Sequence, residues 1–323
     1  LHSLRDVLSP ALLGSLVLLG LFPLLAKAVV GALQQRKRVA RWPRPAHFDR
    51  NLVVIGAGAG GLVSAYIAAA VKAKVTLVES HRMGGDCLNT GCVPSKALIR
   101  SAKLAHQMRR AAEFGLHTGT PPAPVQVDFA AVMARVHQVV SEIEPHDSVE
   151  RYTGLGVEVL IGHARITSPW TVQVTDAQGA QQTLSTRSIV IAAGAAPLVP
   201  PIPGLAEAGC LTSDTVWRLT ELPARLVVLG GGPIGCELAQ AFARLGSQVT
   251  LVEMAQRLLV REDEDAAALV AQALRADGVA LLTGHTAVRV DASGAARQVL
   301  LRAADGTEQA VVYDELLCAL GRA

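Results

Sequence analysis

Two segments of the chain share one order of apolar, glycine-rich and polar positions. Residues 51–80 are NLVVIGAGAGGLVSAYIAAAVKAKVTLVES, and residues 225–254 are RLVVLGGGPIGCELAQAFARLGSQVTLVEM. In each, a short apolar run precedes glycines, then a longer stretch of helix-forming residues, then the identical run Val-Thr-Leu-Val-Glu. Short continuous apolar runs are typical of parallel strands that are buried on both faces. The pattern therefore predicts two β-α-β units.

Both segments contain glycines in the spacing Gly-x-Gly-x-x-Gly, and both end in an acidic residue 23 positions after the first glycine. Such glycines permit a tight turn and a close approach of backbone to a pyrophosphate, while the acid binds ribose hydroxyls. The alternative is that these are ordinary β-α-β units in which the glycines serve only packing. Two complete copies of the motif favour two dinucleotide sites instead. The predicted contact residues are Gly56, Gly58, Gly61 and Glu79, and in the second copy Gly230, Gly232, Gly235 and Glu253.

A pair of cysteines follows the first copy in the run GGDCLNTGCVPSK. Cys87 and Cys92 are five steps apart, about 7.5 Å along a helix, which exceeds the roughly 4.4–6.8 Å between the Cα atoms of a disulfide. A disulfide would therefore need a bend, which Asn89 and Gly91 tolerate. Pro94 suits the first turn of a helix, so Cys92 would lie near a helix N-terminus, where the dipole favours a thiolate.

Three explanations of this cysteine pair remain open from the residues alone. It is a dithiol that opens and closes, or two buried thiols, or half of a zinc site. A zinc site needs a second ligand pair, and Cys210, Cys236 and Cys318 are single and scattered in the sequence. None of the histidines lies in a ligand-like pattern. The spacing favours the redox dithiol, and we predict no metal site.

Weaker patterns predict the remaining elements. Helices are expected over residues 95–114 and 128–151, the second interrupted at Pro145. Short alternating strands over residues 157–186 predict a β-meander, and the apolar run within residues 188–194 predicts a buried strand.

These motifs, taken in order, resemble the flavin-dependent pyridine nucleotide-disulfide oxidoreductases, and most closely their mercuric-reductase-like and dihydrolipoamide-dehydrogenase-like members. The resemblance extends from about residue 51 to the end of the chain. It implies an α/β fold with two Rossmann-like dinucleotide-binding domains and a β-meander. FAD would occupy the first domain and a nicotinamide nucleotide the second. We expect the family's C-terminal dimerisation domain, which supplies a histidine–glutamate pair to the partner subunit, to lie outside this chain.

The resemblance also implies roles for single residues. Cys87 and Cys92 would form the redox-active centre, with Cys92 nearer the flavin as the charge-transfer thiolate and Cys87 exchanging with substrate. Lys96 would be a buried lysine beside the flavin, with Glu237 as its ion-pair partner. Ala193 stands where threonine is more usual in the family. The further cofactor contacts that the resemblance implies are Gly85, Asp86, Ala193, Gly194 and Gly321.

The implied enzyme is a flavoprotein disulfide reductase in which electrons pass from NAD(P)H through FAD to the Cys87–Cys92 disulfide. The final acceptor would be a small-molecule disulfide or mercuric ion, in the context of cell redox homeostasis, and the full-length protein would be a homodimer. Glu253 would repel a 2′-phosphate, which favours NADH, although Arg257 leaves NADPH possible. The alternatives are an NADH-dependent flavoprotein dehydrogenase with a dispensable dithiol, and a nucleotide-binding redox sensor.

The N-terminal region has a different character. Residues 11–33 carry one charge, Lys27, and as a helix would extend about 34 Å, enough for a bilayer core of about 30 Å. A basic cluster follows between residues 36 and 44, which predicts a transmembrane helix with the enzyme domain in the cytoplasm. The alternatives are a buried helix and the hydrophobic tail of an upstream domain. The net charge of +3 comes largely from this basic cluster. Binding to anionic lipid is sufficient to explain the cluster, so no nucleic-acid partner is needed.

Three regions are therefore expected. Residues 1–47 would form the transmembrane helix and a basic linker, residues 48–204 the FAD-binding domain with the dithiol, and residues 205–323 the NAD(P)-binding domain. Since the chain begins at Leu1 and stops soon after Gly321, we expect a fragment of a longer protein.

Overall fold

The computed structural model describes residues 21–31, 33–34, 37, 40–116, 125–294 and 296–323. Much of the predicted membrane span, residues 11–33, lies outside these residues; residues 21–31 and 33–34 are helical. No helix in the described part of the chain combines the length and the apolar character that crossing a bilayer requires. The span and its orientation stay predictions.

The first sheet joins a parallel half to an antiparallel half. Its strands are β1 (Arg50–Ile55), β2 (Val75–Glu79), β3 (Val157–Ile161), β4 (His163–Ser168), β5 (Thr171–Thr175) and β6 (Gln181–Ile191). They lie in the order β3-β2-β1-β6-β5-β4. The long strand β6 is parallel to β1 and antiparallel to β5, so it belongs to both halves. The predicted β-α-β unit and the predicted meander therefore form one continuous sheet.

Two sequence predictions for this sheet were wrong in detail. Residues 157–161 were expected in the meander, but β3 pairs in parallel with β2, because Val157 is buried in the core of the parallel half. The strand at residues 188–194 was expected to be buried, but β6 ends at Ile191, whose side chain is 69% exposed. The described chain leaves that face of the strand end uncovered.

Residues 48–204 are called the first half of the molecule below, and residues 205–323 the second half. The helices of the first half follow the predicted pattern. They are α1 (Ala59–Ala70), α2 (Gly85–Asn89), α3 (Cys92–Arg109), α4 (Phe129–Ile143) and α5 (Val149–Gly154), with 3₁₀ turns at Ala111–Phe114 and Glu144–Asp147. The Asp128 side chain caps α4 by accepting a hydrogen bond from the backbone N–H of Ala131. Pro145 lies in the second 3₁₀ turn, so the predicted interruption is confirmed.

The second half has a parallel sheet and a separate antiparallel one. The elements are α6 (Leu205–Ala208), β7 (Leu211–Thr212), a 3₁₀ turn (Val216–Arg218), β8 (Arg225–Leu229), α7 (Pro233–Leu245), β9 (Gln248–Glu253), α8 (Glu264–Ala276), β10 (Ala280–Thr283), β11 (His285–Asp291), β12 (Arg297–Ala303), β13 (Glu308–Tyr313) and β14 (Glu315–Cys318). The parallel sheet has the order β10-β9-β8-β14-β7, and β11 to β13 form the antiparallel sheet. The second predicted β-α-β unit is thereby confirmed.

Helix α3 connects the two halves. Its buried residues Leu98 and Ala102 belong to the same apolar cluster as Phe242 of α7 and Phe129 of α4. The Phe129 and Phe242 rings lie 6.0 Å apart between centroids. Burial of such side chains stabilises a fold by about 1.5–3 kcal/mol each. The helix that starts at Cys92 is therefore positioned by residues from both halves of the molecule.

Candidate active site

The first glycine turn lies directly after β1. Gly56 has a φ of +100°, and a Cβ there would lie 2.2 Å from the carbonyl oxygen of Ala192. A Cβ on Gly61 would lie 1.7 Å from the carbonyl oxygen of Gly56. Gly58 is the N-cap of α1, which has neither a side-chain cap nor an acidic residue in its first turn. The first N–H groups of α1 are thus available to a phosphate group.

Glu79 ends β2 beside this turn, and its side chain is held from two sides. The residue is 8% exposed. Its Oε2 accepts a hydrogen bond from the backbone N–H of Ala57 (2.6 Å), and its Oε1 accepts one from that of His81 (2.8 Å). Each carboxylate oxygen can still accept a second hydrogen bond. The predicted ribose-binding residue therefore has a fixed orientation next to the glycine turn.

Four other predicted contact residues lie at or next to the same turn. Gly85 has a φ of +53°, and a Cβ there would lie 2.5 Å from the Cα of Gly58. Ala193 lies across from Gly56, since a Cβ on Gly56 would be 3.1 Å from the Ala193 Cα. Gly194 lies near Asp86, with 3.7 Å between a Cβ on Gly194 and the Asp86 Oδ2. The structure thus brings this group together around the first turn.

The second glycine turn repeats the first. Gly230 has a φ of +109°, and a Cβ on Gly235 would lie 1.9 Å from the Gly230 carbonyl oxygen. Glu253 Oε2 accepts from the backbone N–H of Gly231 (2.7 Å), and its Oε1 accepts from that of Ala255 (2.8 Å). Gly230, Gly232, Glu253 and Gly321 line a cavity of about 740 Å³. The second predicted set is therefore also brought together.

Arg257, which left NADPH possible, is held within its own loop. Its Nη1 donates to the Leu259 carbonyl (2.8 Å), and its Nη2 donates to the carbonyls of Val260 (3.1 Å) and Glu262 (3.0 Å). Its guanidinium is thus committed to backbone oxygens. Arg261 lines the cavity instead, although no sequence motif pointed to it.

The dithiol lies on two helices with a bend between them. Cys87 is in α2, and Cys92 is the first residue of α3. The bend falls at Thr90 and Gly91, where a Cβ on Gly91 would lie 2.9 Å from the Asp86 carbonyl oxygen. The chain thus turns between the cysteines, as their spacing requires.

The two thiols have different environments. Cys87 is half-buried and Cys92 is exposed, and both are free thiols. Burial and, next, the hydrogen bond with Cys92 raise the pKa of Cys87 to about 11. At neutral pH the reduced Cys87 side chain is therefore protonated.

Lys96 and Glu237 join the two halves beside the dithiol. Lys96 Nζ lies 2.8 and 2.7 Å from the two carboxylate oxygens of Glu237, which is on α7. Their side chains are 60% and 44% exposed. The predicted partners are therefore in contact, at the rim between α3 and α7. Burial of Lys96 beside a bound flavin stays a prediction.

Arg322 is a site residue that sequence reasoning missed. Its Nη2 donates to Asp86 Oδ2 (2.8 Å), and its Nη1 donates to Ser213 Oγ (2.8 Å) and Asp214 Oδ1 (3.1 Å). Asp86, expected at the cofactor, is thus bound to an arginine of the second half. The one available signal was the position of Arg322 directly after the predicted Gly321.

The remaining cysteines lie outside the dithiol, in the second half of the molecule. Cys236 Sγ contacts the Gly231 carbonyl (3.4 Å), and burial and, next, Glu253 raise its pKa to about 11. Cys210 and Cys318, far apart in sequence, are neighbours, and burial and the Cys210 thiol raise the pKa of Cys318. The described residues contain no group of three or more histidines, cysteines or acids able to hold a metal ion.

Comparisons with known proteins agree with this geometry. The sequence model of the family described as "Pyridine nucleotide-disulphide oxidoreductase" matches residues 50–323. A mercuric reductase of Bacillus cereus is 34% identical over 276 residues, which cover 85% of this chain and 42% of that protein. A dihydrolipoyl dehydrogenase of Acholeplasma laidlawii is 33% identical over 277 residues, which cover 84% of this chain and 78% of that protein.

A solved structure is similar as well. The HOCl-induced flavoprotein disulfide reductase RclA of Escherichia coli superposes with a TM-score of 0.68 at 30% identity, over 84% of this chain and 56% of that one. The chain spans about half the length of the mercuric reductases that it matches, between 42% and 57%.

Proposed function

Because the chain belongs to the pyridine nucleotide-disulphide oxidoreductase family, we propose that it is an FAD-dependent disulfide reductase. It moves electrons from NADH to the Cys87–Cys92 disulfide and on to a small-molecule disulfide or mercuric ion. The observation that carries the proposal is the contact of the dithiol segment with both nucleotide-binding halves. Gly85 packs on the first glycine turn, and Asp86 pairs with Arg322 of the second half.

The first glycine turn fits FAD. Side chains at Gly56, Gly61 and Gly85 would collide with backbone atoms, so the turn stays open to a bulky pyrophosphate only with glycine at these positions. Gly58 and the start of α1 would bind the pyrophosphate, and Glu79 would accept hydrogen bonds from the ribose. When bound, FAD supplies the two-electron chemistry that connects a nicotinamide nucleotide to a disulfide.

The second turn would bind the nicotinamide nucleotide. Glu253 lines the cavity as a carboxylate of fixed orientation. It would accept hydrogen bonds from a 2′-hydroxyl and repel a 2′-phosphate. Arg257 does not offset that repulsion, because its guanidinium binds backbone oxygens. These contacts support NADH as the preferred nucleotide.

The cysteines would have separate roles. Two electrons and two protons convert the Cys87–Cys92 disulfide into two thiols. Cys92, the first residue of α3, would be the charge-transfer thiolate next to the flavin. Cys87 would exchange with substrate, and its raised pKa means that it needs a base. In the family that base comes from the dimerisation domain of the partner subunit.

One set of variants tests the proposal on the full-length protein. We expect bound flavin by absorbance and NADH-dependent reduction of a disulfide or of mercuric ion. Cys87→Ser should abolish both reductions and retain NADH-dependent reduction of ferricyanide, which needs no dithiol. Cys210→Ser, a half-buried cysteine outside the dithiol, should retain all activities.

Two outcomes would overturn it. Disulfide turnover that survives Cys87→Ser would support an NADH dehydrogenase with a dispensable dithiol. A purified full-length protein without flavin would support a nucleotide-binding sensor. Comparing lipoamide, glutathione disulfide and mercuric ion as acceptors identifies the substrate class.

A further inference from the structure

We propose that the second half of the molecule sets the redox potential of the Cys87–Cys92 pair by holding the bend between the two cysteines, with Trp217 as the positioning residue. The inference rests on the proposed function, since it requires that these cysteines form a disulfide. Neither cysteine is in the second half; the control would come from hydrogen bonds that cross between the halves.

The first of these bonds comes from an indole. Trp217 lies in the 3₁₀ turn Val216–Arg218 and is 6% exposed within the apolar cluster that α3 and α7 share. Its Nε1–H lies 2.9 Å from the carbonyl oxygen of Thr90 and 2.7 Å from that of Ser213. Thr90 is the C-cap of α2, between the two cysteines. A buried residue of the second half thus binds the backbone of the bend.

The second bond holds the other side of the same short segment. Arg322 donates to Asp86, the residue before Cys87, and to the hydroxyl of Ser213. Within the segment, the Thr90 N–H donates to the Asp86 carbonyl at 2.9 Å. Ser213 therefore joins the two contacts, since its carbonyl binds Trp217 and its hydroxyl binds Arg322.

These contacts are present while both thiols are free. A disulfide forms only when the Cα atoms lie within about 4.4–6.8 Å, so a dithiol held in a closed bend loses less conformational freedom on oxidation than a flexible one. The contacts thus favour the disulfide and make the potential more negative. Loss of the indole N–H should shift the equilibrium toward the dithiol.

The size of the shift follows from the hydrogen bond. A net contribution typical of one such bond corresponds to about a threefold to tenfold change in the dithiol–disulfide equilibrium. A tenfold change equals about 30 mV for a two-electron couple. Trp217→Phe is the test variant, because phenylalanine retains an aromatic ring in the cluster and lacks only the donor.

The equilibrium can be read from one peptide. Trypsin releases residues 83–96, which contain Cys87 and Cys92 and no other cysteine. The full-length holoprotein is equilibrated in dithiothreitol buffers of stepped redox ratio, quenched with acid and alkylated, and the peptide is measured by mass spectrometry. We expect Trp217→Phe to show the threefold to tenfold shift toward dithiol.

Trp170→Phe is the matched control. The Trp170 Nε1 is buried without a hydrogen-bond partner among the described residues, so this change removes an indole but no such bond. The control should keep the wild-type equilibrium. If the wild type and both variants had the same dithiol–disulfide equilibrium, this inference would be wrong while the proposed function would stand. A wild-type peptide that never forms the disulfide would instead overturn the proposed function.

A second measurement leaves Trp217 intact and so does not depend on the folding of its variant. Residues 1–323 contain three tryptophans, and the double variant Trp42→Phe/Trp170→Phe leaves Trp217 as the only one among them. Its emission should change when the dithiol is oxidised, because the indole binds the bend. Adding Cys87→Ser should abolish that change. Emission that is identical in the oxidised and reduced protein would contradict the inference.

Discussion

The two glycine turns share one backbone construction and differ in their surroundings. In both, a glutamate at the end of the second strand accepts two backbone hydrogen bonds. One comes from the residue that follows the first glycine, and the other comes from the residue two positions after the glutamate itself. In both, the third glycine allows contact with the carbonyl of the first. The duplicated sequence therefore determines how each carboxylate is held.

The difference arises from the chain that follows each copy. After Glu79 the chain forms α2, and Gly85 packs directly against the first turn. After Glu253 it forms a loop held by Arg257, and Glu253 lines a cavity of about 740 Å³. The motif thus provides a nucleotide-binding turn, while the neighbouring segment decides whether that turn is coupled to the dithiol or open to an exchanging nucleotide.

The largest expected effect comes from filling one turn at a time. A Cβ on Gly61 or on Gly235 would lie under 2 Å from a backbone oxygen, at 1.7 and 1.9 Å, so either turn must shift. Gly61→Ala should lose bound flavin and all activity. Gly235→Ala should retain flavin and raise the KM for NADH by about tenfold or more, a binding loss of about 1.4 kcal/mol. Flavin absorbance and steady-state kinetics measure both.

Gly154→Ala is the control for these variants, because a Cβ there meets nothing within 4 Å. It should keep both flavin content and KM. Full flavin content in Gly61→Ala, with normal circular dichroism, would mean that the first turn is not the FAD site.

The second prediction sharpens the difference between the two carboxylates. Glu253→Gln removes the charge that would face a 2′-phosphate, so the ratio of kcat/KM for NADPH to that for NADH should rise about tenfold, or about 1.4 kcal/mol. Glu79→Gln should leave this ratio unchanged, since it lies at the other turn. An unchanged ratio in Glu253→Gln would mean that another residue selects the nucleotide. Arg261, which lines the same cavity, would be the first to test.

The sequence was sufficient for features that depend on local spacing. Both β-α-β units, the bend between Cys87 and Cys92 and the interruption at Pro145 follow from periodicity, helix rise and proline geometry. Each requires only residues that are near one another in the chain, so no knowledge of the tertiary arrangement was needed.

Features that depend on contacts between distant segments could not be predicted. Arg322 and Asp86 are 236 positions apart, and Trp217 and Thr90 are 127 apart. Their pairing depends on the packing of α3 against α7. The direction of the Arg257 side chain likewise depends on its loop conformation, and the place of β3 in the parallel half depends on the burial of Val157.

The third prediction compares the two thiols of the reduced protein. Burial and Cys92 raise the pKa of Cys87 to about 11, so its thiolate fraction is small at pH 8 and rises as the pH approaches that value. Iodoacetamide should therefore modify the exposed Cys92 first at pH 8, with Cys87 following as pH increases. Alkylation of each cysteine within residues 83–96, followed by mass spectrometry against pH, tests this. Equal rates at pH 8 would contradict it.

The smallest expected effect on stability concerns Lys96 and Glu237. Their side chains are 60% and 44% exposed, and exposed ion pairs contribute only about 0–1 kcal/mol. Lys96→Met and Glu237→Gln should each lower the free energy of unfolding by less than about 1 kcal/mol.

If Lys96 also stabilises negative charge at the flavin, Lys96→Met should lower kcat for disulfide reduction far more than that small loss of stability explains. Glu237→Gln should lower kcat less. Denaturant unfolding of the holoprotein and kcat at saturating NADH separate the two effects. Unchanged kcat in Lys96→Met would leave the pair with a purely structural role between α3 and α7.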